Sequence, residues 1–179
     1  MKYLAIYRDS ISDGPGVRVS LYVSGCRNHC TGCHNPESWS FEHGTDFTND
    51  TIEEVLNLCK NDFIQGLTIA GGEPMEPENQ RGLLPLLKEF KKQFPNKNIW
   101  CYTGYELSDL LLCGKKRVLV TDELLSYIDV LVVGPFILSQ RDISDDNRWR
   151  GSRNQRVLNL PESLKNGKCI MLEDIPNNS

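Results

Sequence analysis

Three cysteines in one short loop are the residues of this chain best suited to chemistry. Cys26, Cys30 and Cys33 fall within the stretch CRNHCTGC. Free cysteines are usually buried one at a time, so three in a loop that also contains Gly, Asn and Pro indicate a shared ligand. The chain has seven cysteines, an odd number that does not favour a complete disulfide framework. The other four are scattered and are predicted to be small buried hydrophobic residues: Cys59, Cys101, Cys113 and Cys169.

Four explanations of this cluster compete. Incidental clustering is the first, and a structural zinc site completed by His43 is the second, although no second pair of ligands has the usual spacing. A redox pair formed by Cys30 and Cys33 is the third, and it leaves Cys26 without a role. The fourth is an iron–sulfur cubane, in which three thiolates bind three irons and the fourth iron stays open. An open coordination position is typical of catalytic metal sites.

The surrounding pattern predicts strands that alternate with helices. Residues 17–23 alternate, with Val17, Val19, Leu21 and Val23 on one face. Further buried strands are predicted at 66–70, 98–104 and 129–134. Such alternation is typical of a mostly parallel sheet, whose chemistry collects at the carboxyl ends of the strands. Because the cysteine loop and the GGEP stretch (71–74) each follow a strand, we expect them to share one rim.

Four helices are predicted from apolar periodicity and capping signals. A capping box of Asp50 and Glu53 is expected to start the first helix, which would place Cys59 in the core. The second helix carries the apolar residues of 83–94, with Pro85 expected in its first turn. Residues 105–112 and 121–128 are predicted to be helical, the latter with Thr121 as N-cap. After residue 134 we expect irregular structure with one strand at 156–160.

The CxxxCxxC spacing resembles the signature of the radical S-adenosylmethionine enzymes. The resemblance implies an α/β fold, a partial (β/α) barrel with a mostly parallel sheet over residues 1–160. It implies a 4Fe–4S cluster bound by Cys26, Cys30 and Cys33, whose open iron chelates S-adenosylmethionine. One electron then cleaves that cofactor to methionine and a 5′-deoxyadenosyl radical, so no catalytic side chain beyond the cofactors is predicted. The implied S-adenosylmethionine contacts are Gly32, Cys33, His34, Gly71, Gly72 and Glu73.

Within that superfamily, the chain resembles the activating proteins of anaerobic ribonucleoside-triphosphate reductase. Gly32 replaces the usual aromatic before the third cysteine, and three stretches match that branch: DGPGVR (13–18), IWCYTGY (99–105) and WRGSRNQRV (149–157). The resemblance implies that the chain generates a glycyl radical on the reductase large subunit. A flavodoxin or ferredoxin would supply the electron, and the resemblance allows a homodimer or a heterotetramer with the reductase. Residues 113–120 and the C-terminal tail 161–179 have no place in this pattern.

Other functions remain as alternatives. A radical enzyme acting on a small molecule such as a deazapurine precursor is the nearest, and a zinc-binding module is another. Arg148, Arg150, Arg153 and Arg156 form a basic run that is either a solvated surface or a docking surface for an acidic loop. The net charge of −4 argues against binding to nucleic acid or acidic membranes. With no long apolar stretch, we expect a cytoplasmic protein.

Overall fold

A seven-stranded sheet runs through the centre of the molecule. The computed structural model describes residues 1–172. The strands are β1 (Lys2–Ser10), β2 (Val17–Val23), β3 (Thr45–Asp46), β4 (Ile64–Gly71), β5 (Asn98–Tyr102), β6 (Val130–Val133) and β7 (Arg156–Asn159). The helices are α1 (Asn49–Leu58), α2 (Pro77–Gln93), α3 (Thr121–Ser126) and α4 (Leu160–Asn166).

The centre of the sheet is parallel and its edges are antiparallel. The strand order is β3-β1-β2-β4-β5-β6-β7. Strands β2, β4, β5 and β6 pair in parallel, whereas β1 pairs antiparallel with β2 and β7 antiparallel with β6. The predicted mixed α/β fold with a mostly parallel sheet is therefore confirmed for the core, but the sheet stays open and is not closed into a barrel. The strand β1 was not predicted.

The two faces of the sheet differ in what covers them. Val19, Leu21 and Val23 of β2 join the main hydrophobic core, which also takes apolar residues from α1, α2 and α3. The opposite face carries a smaller apolar cluster around Trp100. Cys59 is fully buried in the main core, and Cys101 is buried as well, as predicted. Cys169 is only half-buried and Cys113 is exposed, so the prediction of a buried side chain was wrong for Cys113. The alternation of β2 thus separates the helix-covered face from a second face, on which Arg18 and Ser20 are also fully buried.

Several helix ends differ from the predictions. Thr48 and Thr51 form the capping box of α1, so the predicted pair Asp50 and Glu53 was wrong. Pro77 occupies the first turn of α2 and Pro85 lies inside that helix. Residues 105–112 contain only the 3₁₀ turn Leu107–Asp109. The Thr121 hydroxyl donates to Gln80 instead of capping α3, whose N-cap is Val120.

The predicted division at residue 160 is crossed by secondary structure. Helix α4 begins at Leu160, and the following chain returns to the sheet, where the Asn159 amide donates to the Ile170 carbonyl at 3.0 Å. Residues 173–179 of the predicted tail lie outside the described residues. The separation of a domain 1–160 from the tail stays a prediction.

Candidate functional site

The three cysteines of the loop line one cavity at the carboxyl ends of β2, β4 and β5. The cavity has a volume of about 290 Å³. Cys26 is buried, whereas Cys30 and Cys33 are half-buried. His34, Gly71, Gly72 and Glu73 line the same cavity, so the structure brings together all but one of the predicted site residues. The exception is Gly32, which lies outside, against Leu138.

Hydrogen bonds from three directions hold the base of the cysteine loop. The Glu73 amide donates to the Gly25 carbonyl at 2.9 Å, and the Cys26 amide donates to the Trp39 carbonyl at 3.1 Å. The buried Asn79 amide of α2 donates to the Ser24 carbonyl at 2.9 Å. The loop is therefore fixed to the start of α2 and to the GGEP turn, which limits the positions that the thiols can take.

An ion-pair network on the outer side fixes the loop further. The Arg27 guanidinium donates to the buried Glu76 carboxylate at 2.7 Å and to Glu78 at 2.7 Å. Glu76 also accepts from the Tyr105 hydroxyl at 2.5 Å and from Lys116 Nζ at 3.2 Å. Lys116 belongs to the stretch 113–120 that the sequence could not place, and its contact shows that this stretch packs beside the base of the cysteine loop.

Gly72 is needed because the cysteine loop passes directly over it. A Cβ at this position would lie 2.8 Å from the Gly25 carbonyl oxygen and 2.9 Å from the Ser38 carbonyl oxygen. At Gly71, with a φ of +102°, a Cβ would lie 2.6 Å from the Val23 nitrogen. Both glycines therefore permit close approach between backbones. Any role toward a cofactor comes in addition to this packing role.

Glu73 is a fully buried carboxylate that ties three segments together. Its Oε1 accepts from the Thr103 hydroxyl at 2.6 Å and from the Met75 amide at 2.9 Å. Its Oε2 accepts from the Gly104 amide at 2.7 Å and from the Asn28 side chain at 2.9 Å. Burial raises the pKa of Glu73 to about 7, against the opposing effect of these donors. Through these four hydrogen bonds, the carboxylate fixes the cysteine loop, the GGEP turn and the chain after β5 relative to one another.

The outer side of the cysteine turn is covered by the segment after β6. Gly32 has a φ of +75°, and a Cβ there would lie 2.9 Å from Leu138 Cδ1. On the cavity side, the His34 ring meets the Phe136 ring at 5.7 Å between centroids. The absence of an aromatic side chain at position 32 thus leaves room for the chain after β6 to pack on the turn.

The turn 13–16 is held by a buried arginine. The Arg18 side chain is fully buried and donates to Thr68 Oγ1 at 2.7 Å, the Leu67 carbonyl at 2.9 Å and the Pro15 carbonyl at 3.3 Å. The Thr68 hydroxyl donates in turn to the Asp13 carbonyl at 2.9 Å. Burial lowers the pKa of Arg18 to about 10, so the group stays charged at neutral pH. DGPGVR is therefore a turn clamped by its own arginine.

Several cavity residues were missed by sequence reasoning. Asp13 and Tyr22 line the cavity, and their own stretches carried a signal: the DGPGVR motif and the alternation of β2. Other missed residues lie within stretches that the sequence singled out, namely Asn28 in CRNHCTGC, Thr103 and Gly104 in IWCYTGY, and Gly151 and Gln155 in WRGSRNQRV. Trp39 and Phe136 lie in loops without a motif. Only the assembled rim of the sheet brings these side chains together.

The four arginines of the basic run 148–156 are all bonded to other groups of the protein. Arg148 contacts Asp145 at 3.3 Å, Arg153 contacts Asp142 at 2.7 Å, and Arg156 contacts Glu106. Arg150 donates to the Asp146 carbonyl at 2.8 Å. These arginines therefore stabilise the chain around the cavity, and Arg150 in particular is less suited to docking than its sequence position indicates.

The donor set fits a cluster held by three thiolates. All three cysteines are free, and the Asn35 amide donates to Cys33 Sγ at 3.4 Å, a bond of the kind that supports metal-bound sulfur. Burial raises the pKa of Cys26 to about 11 and also raises the pKa of Cys30, so a bound metal would have to displace their protons. In residues 1–172, no three His, Cys, Asp or Glu side chains converge on one ion. A cubane takes each thiolate to a different iron, so it does not need that convergence.

Comparison with known proteins identifies the family. A family model described as a 4Fe-4S single cluster domain matches residues 12–158. An anaerobic ribonucleoside-triphosphate reductase-activating protein of Haemophilus influenzae is 42% identical over 159 residues, which cover 88% of this chain and 97% of the relative. The chain belongs to the anaerobic ribonucleoside-triphosphate reductase-activating proteins.

Other members of this activating-protein family align over similar lengths. The activating protein of Enterobacteria phage T4 is 37% identical, over 88% of this chain and 93% of the relative. The activating protein of Escherichia coli (strain K12) is 36% identical, over 89% of this chain and 99% of the relative. The family expected from the Gly32 loop and its neighbouring motifs is thereby confirmed. In the described part of this family member, no helix is both long and apolar enough to cross a membrane.

Proposed function

We propose that this chain activates an anaerobic ribonucleoside-triphosphate reductase by generating a glycyl radical on its large subunit. The proposal includes radical S-adenosylmethionine chemistry at a 4Fe–4S cluster, on a partial barrel of the type found in that superfamily. The observation that carries it is one cavity with three free thiols on one wall and the Gly71–Gly72 backbone on another. The names of the relatives give the partner.

One group of residues would hold the cluster, and another would position the cofactor beside it. Cys26, Cys30 and Cys33 would bind three irons, and a cofactor on the fourth would supply a radical able to remove a hydrogen atom from a glycine Cα. The backbone at Gly71 and Gly72 borders the space where the methionyl group would lie. Glu73 fixes the distance between that backbone and the cysteine loop through Asn28. No side chain is required as an acid or a base.

Cavity size favours a macromolecular substrate over a small one. Ligand sites usually enclose roughly 300–1,000 Å³, and this cavity of about 290 Å³ lies just below that range. The cluster and S-adenosylmethionine would share this cavity, which disfavours a second small molecule such as a deazapurine precursor. A loop presented by a partner protein would need only the mouth of the cavity.

The remaining parts of the proposal concern the surroundings. An electron donor such as flavodoxin or ferredoxin is required, because reductive cleavage consumes one electron. The seven free cysteines support a reducing, cytoplasmic compartment. A homodimer, or a heterotetramer with the reductase, is compatible with the family.

Anaerobic reconstitution tests the cofactor part of the proposal. We expect about four irons per chain and formation of 5′-deoxyadenosine from S-adenosylmethionine under dithionite. Replacing Cys26, Cys30 or Cys33 with Ser should abolish both. Cys59→Ala is the matched control, since this buried thiol lies in the main core and should cost only about 1–2 kcal/mol of stability. Bound zinc in place of iron, or cluster loss in Cys59→Ala with retention in Cys26→Ser, would contradict the assignment.

A further inference from the structure

Two tyrosines and an alanine form one row across the sheet along the cavity. In the parallel register, Tyr22 of β2 lies opposite Ala70 of β4. Tyr102 of β5 follows Cys101, which pairs with Ile69, so Tyr102 lies beside Ala70. All three residues of the row line the cavity. We call this row the tyrosine slot, because the short alanine side chain leaves a gap between the two aromatic residues.

The tyrosine slot is wide enough for a main chain but narrow for a large side chain. Leu21, Ile69 and Cys101, which precede the three slot residues, belong to the main core, so the slot stands on the opposite face of the sheet. Neighbouring strands lie about 4.8 Å apart, so the two backbones that carry the tyrosines are about 10 Å apart. The aromatic side chains take up part of this separation. The gap above Ala70 therefore suits a glycine better than a bulkier residue.

The Tyr102 hydroxyl is a donor that the protein leaves unused. Within residues 1–172 it forms no hydrogen bond, although its oxygen is not fully buried. The other hydroxyl of the slot differs, because Tyr22 donates to Asp13 Oδ1 at 2.9 Å. Burial raises the pKa of Tyr102, so its hydroxyl keeps its proton at neutral pH. A neutral O–H group in this position can donate to a carbonyl oxygen that enters the slot.

A groove on the surface adjoins the cavity at the slot. Asp13 and Tyr22 line both the cavity and this groove, whose other residues lie at the end of β1 and in the turn that follows: Tyr7, Asp9, Ser10, Ile11 and Ser12. Tyr7 is 53% exposed and Ile11 is 66% exposed. A partner segment that lies in the groove would therefore meet the cavity at the tyrosine slot.

We propose that the tyrosine slot holds the substrate glycine of the reductase, with the Tyr102 hydroxyl donating to a main-chain carbonyl oxygen of that segment. This inference rests on the proposed function, because it names the residues that position the substrate of that function. Along β4, Ala70 directly precedes the Gly71–Gly72 backbone that borders the space for the methionyl group. The glycine and the cofactor would thus be neighbours. Tyr102 gives up no proton or electron, so it selects and orients the glycine and leaves the chemistry to the cofactor.

Removal of one oxygen atom tests the hydrogen bond. In Tyr102→Phe, we expect the KM for the reductase to rise about five- to tenfold, measured by electron paramagnetic resonance of the glycyl radical against reductase concentration. Iron content, melting temperature and 5′-deoxyadenosine formed without the reductase should stay unchanged. Tyr127→Phe is the matched control, because its hydroxyl donates to the exposed Glu123 and not into the cavity. It should behave as the wild type.

A second variant tests the gap between the tyrosines. Ala70→Val places two more methyl groups between the aromatic side chains. We expect this variant to lose most of the glycyl radical yield on the reductase, while it still forms 5′-deoxyadenosine in the absence of the reductase.

Each other outcome counts against one of the two proposals. An unchanged KM in Tyr102→Phe, or a full radical yield in Ala70→Val, would overturn the role of the slot. It would also be overturned if Tyr102→Phe lost 5′-deoxyadenosine formation without the reductase, since the hydroxyl would then serve the cofactor, or if its melting temperature fell. A wild-type protein that binds no iron, or that forms no radical on the reductase, would instead overturn the proposed function.

Discussion

At the scale of single residues, Glu73 holds the segments of the site together through hydrogen bonds. Burial of a carboxylate away from solvent costs free energy unless hydrogen-bond donors surround it. Glu73 accepts from four donors in three segments. The sequence placed Glu73 among the cofactor contacts because it follows two glycines in a rim loop. It could not show that Asn28 and Gly104 would saturate the carboxylate, because those residues lie 45 and 31 positions away.

The titration of Glu73 gives a pH dependence of stability. Its pKa is raised to about 7 from 4.5, so between these values the folded chain keeps a proton that the unfolded chain has lost. The free energy of unfolding should therefore fall as the pH rises from about 4.5 to 7, by up to about 3 kcal/mol. Urea unfolding of the metal-free chain at several pH values measures this slope.

Glu73→Gln is the matching variant. It should remove this part of the slope and lower stability throughout, because the amide NH₂ must face protein donors. A wild-type slope that persists in Glu73→Gln would show that another group titrates.

At the scale of elements, loops at the ends of neighbouring strands build the site. Sequence periodicity predicted β2, β4, β5 and β6 because buried strands carry continuous or alternating apolar residues. It failed where tertiary contacts override local preference. Pro85 was expected in the first turn of α2, yet the packing of Leu83, Leu86 and Leu87 extends the helix to both sides of it. Thr121 was expected as a cap, yet its hydroxyl is used by Gln80.

Gly72→Ala tests whether the GGEP turn is a packing element. The new Cβ would meet two backbone carbonyl oxygens of the cysteine loop that cannot move independently, so we expect a loss of about 1–3 kcal/mol and reduced iron retention. Gly82→Ala is the control, because its Cβ meets only the flexible Met1 side chain and replaces glycine in a helix. Equal stability and iron content in the two variants would contradict the packing role of Gly72 and leave only a role toward the cofactor.

At the scale of the whole molecule, the open sheet brings two distant sequence motifs to one rim. The parallel register of β2 and β4, with Val23 opposite Gly71, sets the cysteine loop beside the GGEP turn. This juxtaposition was predictable, because parallel strands end at the same edge. The wall formed by Phe136, Gly151 and Gln155 was not, since it follows β6 without periodicity and depends on contacts across the finished sheet.

Under the proposed function, the chain acts on another protein. Electron paramagnetic resonance of the anaerobic reductase, mixed with this chain, S-adenosylmethionine and a reductant without oxygen, tests that claim most directly. We predict a glycyl radical doublet on the reductase, present with the wild type and Cys59→Ala, and absent with Cys30→Ser. The account would be contradicted if the reductase stayed free of radical while the chain still cleaved S-adenosylmethionine. It would also be contradicted if the chain turned over a free purine precursor instead.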